Sequence, residues 1–259
     1  MTTRTPTVAL LYPGHAAEDD YPLAETGLDG AIRLPVVITE IESDDHTVEA
    51  MRAVGTDTPL REGAQRAMRH EPGALIWACT SGSFLYGWEG AHEQVARVAD
   101  QVGLPVSSTS LAFAAACREL GVTSVSVAAT YPAPVADGFT TFLAGAGISV
   151  VSSSAHDVHT ATEAGILDGD NLFEMVRAAD SAYTEAVLVP DTALHTIGWI
   201  ADLEREVGKP VLTANQVTTW QATRLVGLQL SVDGLGALFG GTVPESRVAS
   251  AGVHPPLVE

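Results

Sequence analysis

The segment that begins at Cys79 has residue types and a spacing that could support catalysis by a thiol. Cys79 follows the apolar run Ala74–Ala78 and precedes a helical stretch, so its sulfur would lie near unpaired N–H groups at a helix N-terminus. That position favours the thiolate, which is the nucleophilic form of cysteine. Thr80 and Ser81 add hydroxyl groups that can bind a carboxylate. The alternative is that Cys79 is a small apolar residue that ends a strand.

Three other kinds of site are excluded by the residues around them. A phosphatase loop would close with an arginine after Ser83, but Phe84 follows. A metal site would need a second cysteine, or a histidine at ligand spacing, and neither is near this turn. The Gly234-x-Gly236 segment lacks the preceding strand and the later acidic residue of a dinucleotide site. The sequence therefore predicts no metal and no cofactor.

A second turn of the same design carries an aspartate. Asp191 stands just after the apolar run Ala186–Val189, as Cys79 stands after its own run, and the helical stretch beyond each turn ends in Gly-x-Pro-Val. The Tyr-Pro pair that begins at Tyr12 likewise recurs at Tyr131. These correspondences indicate a duplicated unit. Asp191 could be only the N-cap of a helix, or it could face Cys79 as a second catalytic group.

The repeat predicts an α/β fold of two pseudo-symmetric lobes, each a short parallel β-sheet flanked by helices. The first lobe is expected to comprise residues 1–112 and 215–259, with the C-terminal segment packed back on it, and the second lobe residues 113–214. Val253–Glu259 is expected to be a frayed tail. Because ligands bind beyond the carboxyl ends of parallel strands, the active site should lie between the lobes, where the turns at Cys79 and Asp191 meet.

Charge and cysteine content limit the partners. Thirty-two acidic and thirteen basic residues give a net charge of −19, which repels nucleic acid and anionic membrane surfaces. No apolar run approaches the roughly 20 residues of a membrane helix. Cys79 and Cys117 form no disulfide framework, and Cys117 is expected on an amphipathic helix with its side chain in the protein core. We therefore expect a cytoplasmic protein with a small-molecule partner, and the sequence leaves open whether it forms a homo-oligomer.

With the Cys79 turn, the Tyr131-Pro132 pair and both Gly-x-Pro-Val elements, the chain resembles the aspartate/glutamate racemase superfamily over about residues 8–228. Within it, the chain is similar to the branch that contains arylmalonate decarboxylase and maleate cis-trans isomerase. Members of this kind use thiols from the two lobes on opposite faces of a planar carbanion or enediolate. The resemblance matches Cys79 to the first-lobe thiol and Asp191 to the second, so a carboxylate replaces one thiol.

The resemblance also implies the residues that bind substrate. Two asparagines of the maleate isomerases are replaced by Ala16 and Ala161, which argues against isomerisation of maleate itself. The positions expected to contact the substrate, through hydroxyl and N–H groups or by shape, are Pro13, Thr80, Ser81, Tyr131 and Thr192.

His15 is a further candidate, because it follows Pro13 on the same edge and imidazole carries protons near neutral pH. We expect a cofactor-independent isomerase, racemase or decarboxylase that acts next to a carboxylate of a small organic acid or diacid. Its Cys79 thiol would work through an enediolate or a thiol adduct. The alternative function is a small-acid binding protein of the same fold that has lost catalysis.

Overall fold

The computed structural model describes residues 4–242, which form eight strands and eleven α-helices. The strands are β1 (Val8–Pro13), β2 (Val36–Thr39), β3 (Ala74–Trp77), β4 (Val106–Ser108), β5 (Ser124–Ala129), β6 (Ser149–Ala155), β7 (Ala186–Val189) and β8 (Val211–Thr213). The helices are α1 (Asp20–Gly27), α2 (Val48–Val54), α3 (Asp57–Ala67), α4 (Ser81–Phe84), α5 (Gly87–Val102), α6 (Thr109–Leu120), α7 (Ala133–Gly145), α8 (Ala161–Gly165), α9 (Gly169–Ala179), α10 (Ile200–Val207) and α11 (Ala214–Leu225).

The strands form two parallel four-stranded sheets with the same internal order. The first sheet has the order β2-β1-β3-β4 and the second β6-β5-β7-β8. In the first, Leu10 of β1 lies between Val36 and Ile76, and in the second, Val125 of β5 lies between Val150 and Ala186. Strands β3 and β7 are buried along their whole length, as strands covered by helices on both faces are. The predicted fold of two similar α/β lobes is confirmed.

The Gly-x-Pro-Val elements end a helix and begin a strand in each lobe. Gly103 follows α5 with φ +69° and Gly208 follows α10 with φ +68°, a left-handed conformation that glycine adopts without the steric cost of a side chain. Strands β4 and β8 begin within three residues of these glycines. The sequence prediction of a helix C-cap followed by a strand is therefore confirmed at both positions.

The two lobes share a core. Helices α6 and α11, which follow the last strand of each sheet, pack on each other, and the Thr109 and Thr218 hydroxyl oxygens lie 2.6 Å apart. The segment after α11 is tied back at Leu235, whose carbonyl accepts a hydrogen bond of 2.8 Å from Gln216 Nε2. The assignment of residues 215–259 to the first lobe stays a prediction. Residues 243–259, with the expected tail at Val253–Glu259, lie outside the described residues.

The longest helix between residues 4 and 242, α5, has 16 residues. Within that range no helix combines the length and the apolar character needed to cross a bilayer. In the same range, no group of three or more His, Cys, Asp or Glu side chains is arranged to hold a metal ion. The residues that the sequence singles out lie at the carboxyl ends of the strands, which point toward the junction of the lobes.

Candidate active site

The turns after β3 and β7 meet at a small cavity between the lobes. Cys79 and Asp191 each stand two residues beyond the end of their strand, which is the equivalent position in the repeat. The cavity has a volume of about 50 Å³ and is lined by residues of both lobes. Six of the eight residues predicted for the site line it, namely Pro13, Cys79, Ser81, Tyr131, Asp191 and Thr192.

The Cys79 turn is held by a buried glutamine. The backbone N–H of Gly82, in the single-turn helix α4, donates to Cys79 Sγ at 3.3 Å. Gln94 Nε2 donates to the carbonyls of both Gly82, at 2.8 Å, and Gly55, at 2.7 Å. A β-carbon on Gly55 would lie 2.0 Å from the Gly82 oxygen, so only glycine fits there. These contacts connect Gly55 at the end of α2, the Gln94 side chain of α5 and the Cys79 sulfur.

Burial keeps the Cys79 thiol protonated. Only 4% of the residue is exposed, and this burial raises the pKa of the thiol to about 12. The Gly82 N–H and the Ser81 hydroxyl oppose the rise, and the negative charge of Asp191 adds to it. The sequence prediction that the helix N-terminus favours a thiolate is therefore wrong. The single-turn helix α4 stabilises the thiolate less than the loss of water around the sulfur destabilises it.

The Asp191 carboxylate is buried and held by hydrogen bonds on both oxygens. The backbone N–H of Ala193 donates to Oδ1 at 2.9 Å, and the Thr130 hydroxyl donates to Oδ2. The carbonyls on either side of Asp191 also accept hydrogen bonds from tyrosine hydroxyls. Tyr131 donates to the Pro190 oxygen, and Tyr12 donates to the Thr192 oxygen at 2.9 Å.

A segment of the first lobe, residues 41–46, crosses to the second lobe over the cavity, and we call it the strap. Its backbone is bonded across the lobes, because the Ala161 N–H donates to the Asp44 carbonyl at 2.9 Å and the His46 N–H to the His159 carbonyl at 2.7 Å. The Thr162 hydroxyl donates to the Asp44 carboxylate at 2.6 Å, which lowers the pKa of that carboxyl. Ile41, Ser43, Asp44, Asp45 and His46 of the strap all line the cavity.

Comparison with known proteins identifies the family. The family model described as arylmalonate decarboxylase matches residues 47–239, which is most of the chain and includes the turns of both lobes. The chain belongs to the arylmalonate decarboxylase family. The resemblance predicted from the Cys79 turn and the repeat is thereby confirmed.

Relatives within and around this family are enzymes of the isomerase and decarboxylase types. The maleate isomerase of Alcaligenes faecalis is 27% identical over 56% of this chain, a match that spans 58% of that enzyme. The arylmalonate decarboxylase of Bordetella bronchiseptica is 25% identical over 86% of this chain and 91% of its own length. A mutant of Nocardia farcinica maleate cis-trans isomerase with a covalently bound succinylcysteine intermediate has the same fold, with a TM-score of 0.83 at 20% identity over 90% of this chain and 98% of that one.

Two of the predicted residues do not line the cavity of this arylmalonate decarboxylase family member. His15 points outward, with 71% of its side chain exposed and its Nδ1 atom 2.6 Å from Glu18 Oε1. Thr80 is fully buried, and its hydroxyl makes no hydrogen bond of normal geometry although it lies beside the Tyr131 hydroxyl. The structure therefore leaves His15 outside the site and places an unsatisfied hydroxyl at its edge.

The lining of the cavity carries negative charge. Among the described residues that line it there are three carboxylates, of Asp44, Asp45 and Asp191, together with one imidazole, of His46, and neither lysine nor arginine. His46 is buried against the edge of the Tyr131 ring, with 5.2 Å between ring centroids, and its Nδ1 atom lies 2.9 Å from the Val158 carbonyl oxygen. An anionic substrate must therefore be bound mainly by neutral donors.

Sequence reasoning missed several residues of the site. Tyr12, His46 and Gln94 contact the two turns or line the cavity, yet they belong to no motif that indicates chemistry. Tyr12 had one usable signal, since it is the first-lobe copy of the repeated Tyr-Pro pair. Ala16 and Ala161, the positions at which the resemblance implies asparagines in the maleate isomerases, do line the cavity.

Proposed function

We propose that the chain is a cofactor-independent enzyme that transfers a proton at the carbon next to a carboxylate of a small organic acid or diacid. It would act as a decarboxylase, or as an isomerase or racemase. The observation that carries the proposal is that the buried Cys79 thiol and the buried Asp191 carboxylate line the same cavity. Relatives named maleate isomerase and arylmalonate decarboxylase support the same class of reaction.

The protonation state of Cys79 favours proton donation over attack by sulfur. A thiol with a pKa of about 12 carries its proton at neutral pH, and the thiolate is the nucleophilic form. In decarboxylation, the bond between the α-carbon and one carboxylate breaks, CO2 leaves, and the electron pair remains as an enediolate on the other carboxylate. Cys79 then gives its proton to the α-carbon, and water restores the thiol. A succinylcysteine-type adduct would instead require the thiolate.

Racemisation would use the same two groups in sequence. The Asp191 carboxylate, an acceptor of hydrogen bonds from Ala193 and Thr130, would take the proton from the α-carbon on one face. Cys79 would return its own proton on the other face. Because a thiol and a carboxylate are chemically unequal, we expect protonation from one face in decarboxylation or isomerisation, rather than efficient racemisation of a free amino acid.

Neutral groups would bind the substrate carboxylate. Ser81 and Thr192 line the cavity at the two turns and offer a hydroxyl and an N–H. The Thr80 hydroxyl is buried next to them, outside the lining and without a hydrogen bond of normal geometry. A donor of this kind that meets the enediolate is worth about 3–4 kcal/mol in the transition state. Ser43, Asp44 and Asp45 of the strap line the same cavity, so a small acid would contact the strap as well as the two turns.

The test is incubation of the protein in D2O with phenylmalonate, maleate and the free amino acids aspartate and glutamate. We expect at least one acid to lose CO2 or change configuration and to carry one deuterium at the α-carbon, as measured by mass spectrometry and chiral chromatography. The Cys79→Ala variant serves as the blank. An acid that raises the melting temperature of the parent, without deuterium uptake or CO2 release from any acid, would overturn the proposal in favour of the binding protein.

A further inference from the structure

We propose that Tyr12 is a positioning residue for Asp191, and that the two copies of the Tyr-Pro pair hold the Asp191 turn from its two sides. This inference rests on the proposed function in so far as Asp191 acts on the substrate. Neither tyrosine needs to touch the substrate for this role. The hydrogen bonds of their hydroxyl groups carry the argument.

The Tyr12 hydroxyl connects the two lobes at the reactive turn. It accepts a hydrogen bond of 3.0 Å from the Ala17 N–H of its own lobe and donates one of 2.9 Å to the Thr192 carbonyl of the other lobe. Only 1% of Tyr12 is exposed, and burial raises the pKa of its hydroxyl. The hydroxyl therefore stays protonated and remains a donor at any pH at which the protein is folded.

The second copy holds the same turn. The Tyr131 hydroxyl donates to the Pro190 carbonyl, so the carbonyls immediately before and after Asp191 each accept a tyrosine hydroxyl. Burial also raises the pKa of Tyr131, which keeps this donor protonated. With the two neighbouring peptides held and both carboxylate oxygens bonded, the direction of the Asp191 side chain has little freedom.

This arrangement breaks the symmetry of the repeat. Thr80 follows Cys79 as Thr192 follows Asp191. Since Tyr12 donates to the Thr192 carbonyl of the other lobe, a symmetric arrangement would have Tyr131 donate to the Thr80 carbonyl. That carbonyl instead accepts from the Ser110 hydroxyl at 2.7 Å and from the N–H groups of α4. Both tyrosine hydroxyls thus donate to carbonyls next to Asp191, and neither donates to a carbonyl next to Cys79.

The first test measures the turn directly. In Tyr12→Phe, the ring remains but the Thr192 carbonyl and the Ala17 N–H lose their partner. We expect hydrogen exchange of the Ala193 amide, which is bonded to Asp191 Oδ1, to become about tenfold faster in a fragment that spans residues 190–195. Tyr86→Phe is the matched control, because Tyr86 donates at 2.7 Å to the Arg52 carbonyl, away from Asp191. Unchanged exchange in Tyr12→Phe would overturn the proposal.

The second test separates positioning from general stability. In the deuterium assay, we expect Tyr12→Phe to lower kcat about tenfold with KM within about twofold, since small displacements of a reacting group cost this much. In an Asp191→Asn background the same substitution should have no further effect. An equal fall of kcat in that background would overturn the proposal, because Tyr12 would then act elsewhere. A fully active Asp191→Asn variant would instead refute the catalytic role of Asp191, while hydrogen exchange still decides whether Tyr12 holds the turn.

Discussion

The Cys79 turn is held by groups from its own half of the chain, whereas the Asp191 turn also depends on the opposite half. Gln94 donates to the carbonyls of Gly82 and Gly55, and all three residues precede residue 112. The Asp191 turn continues into a segment whose Thr196 and Ile197 N–H groups donate to the Asp20 carboxylate, at 2.8 and 3.2 Å.

The hydrogen bonds that hold the thiol turn therefore come from one lobe. The turn that carries the carboxylate depends on both lobes, because Tyr12 donates to the Thr192 carbonyl and Asp20 accepts from the Thr196 N–H across the junction.

The largest effect is expected at Cys79. Cys79→Ala should abolish turnover, since no other described group that lines the cavity is a thiol. The free energy of unfolding should stay within about 1–2 kcal/mol of the parent, because the lost atom leaves only a small cavity. Cys117→Ala is the control, as it removes the same atom from the buried face of α6, and it should keep full turnover. Turnover by Cys79→Ala would exclude thiol catalysis.

The next largest effect is expected at Asp191. Asp191→Asn should lower turnover about 100-fold, because the amide cannot accept the proton of the α-carbon. Asp191→Cys restores a second thiol opposite the first, and racemisation gained by this variant, measured by chiral chromatography, would support the pairing. If Asp191→Asn keeps full activity on every acid that the parent converts, then Asp191 is only a cap for the Ala193 N–H.

A pair of glycines tests which turn is the more tightly packed. Gly55→Ala should destabilise the fold by about 1–3 kcal/mol, since its methyl group would lie 2.0 Å from the Gly82 oxygen and 2.9 Å from Gln94 Nε2. Gly198→Ala, beyond the Asp191 turn, meets no atom within 4 Å and should change stability by less than about 0.5 kcal/mol. Chemical denaturation of both variants measures the difference. Equal free energies of unfolding for the two variants would mean that the contacts of Gln94 with Gly55 and Gly82 can shift to admit a methyl group.

The smallest effect is the electrostatic coupling of the two turns. Because the Cys79 pKa is about 12, its iodoacetamide labelling rate should rise through pH 10 without a plateau near the roughly 8.5 of a free thiol. The Asp191 charge contributes to this raised pKa, so Asp191→Asn should speed labelling of Cys79 a few-fold at a fixed pH. Cys117 in the same sample is the internal control, and its rate should not change. A plateau below pH 9 would contradict the buried thiol.

Local patterns in the sequence were enough for the fold and for the two central residues. Apolar runs of strand length, followed by polar turns and by Gly-x-Pro-Val, predict parallel strands and the ends of helices. The rule that sites lie beyond the carboxyl ends of strands then predicts that Cys79 and Asp191 meet, and both line the cavity. These signals depend on residues close together in the chain, so they can be read without knowing how the lobes pack.

Only the tertiary structure decided the chemistry around these residues. Tyr12 reaches Thr192 across 180 positions of sequence, and the strap reaches the second lobe at Ala161, because the lobes pack in one particular orientation. The pKa of Cys79 depends on how much water the whole fold removes from the sulfur, which no neighbour in sequence reveals. His15 stands in the correct turn but points to solvent. Residue type and order thus determined which groups could react, and the packing of the two lobes determined which of them line the cavity and how far burial raises the pKa of Cys79.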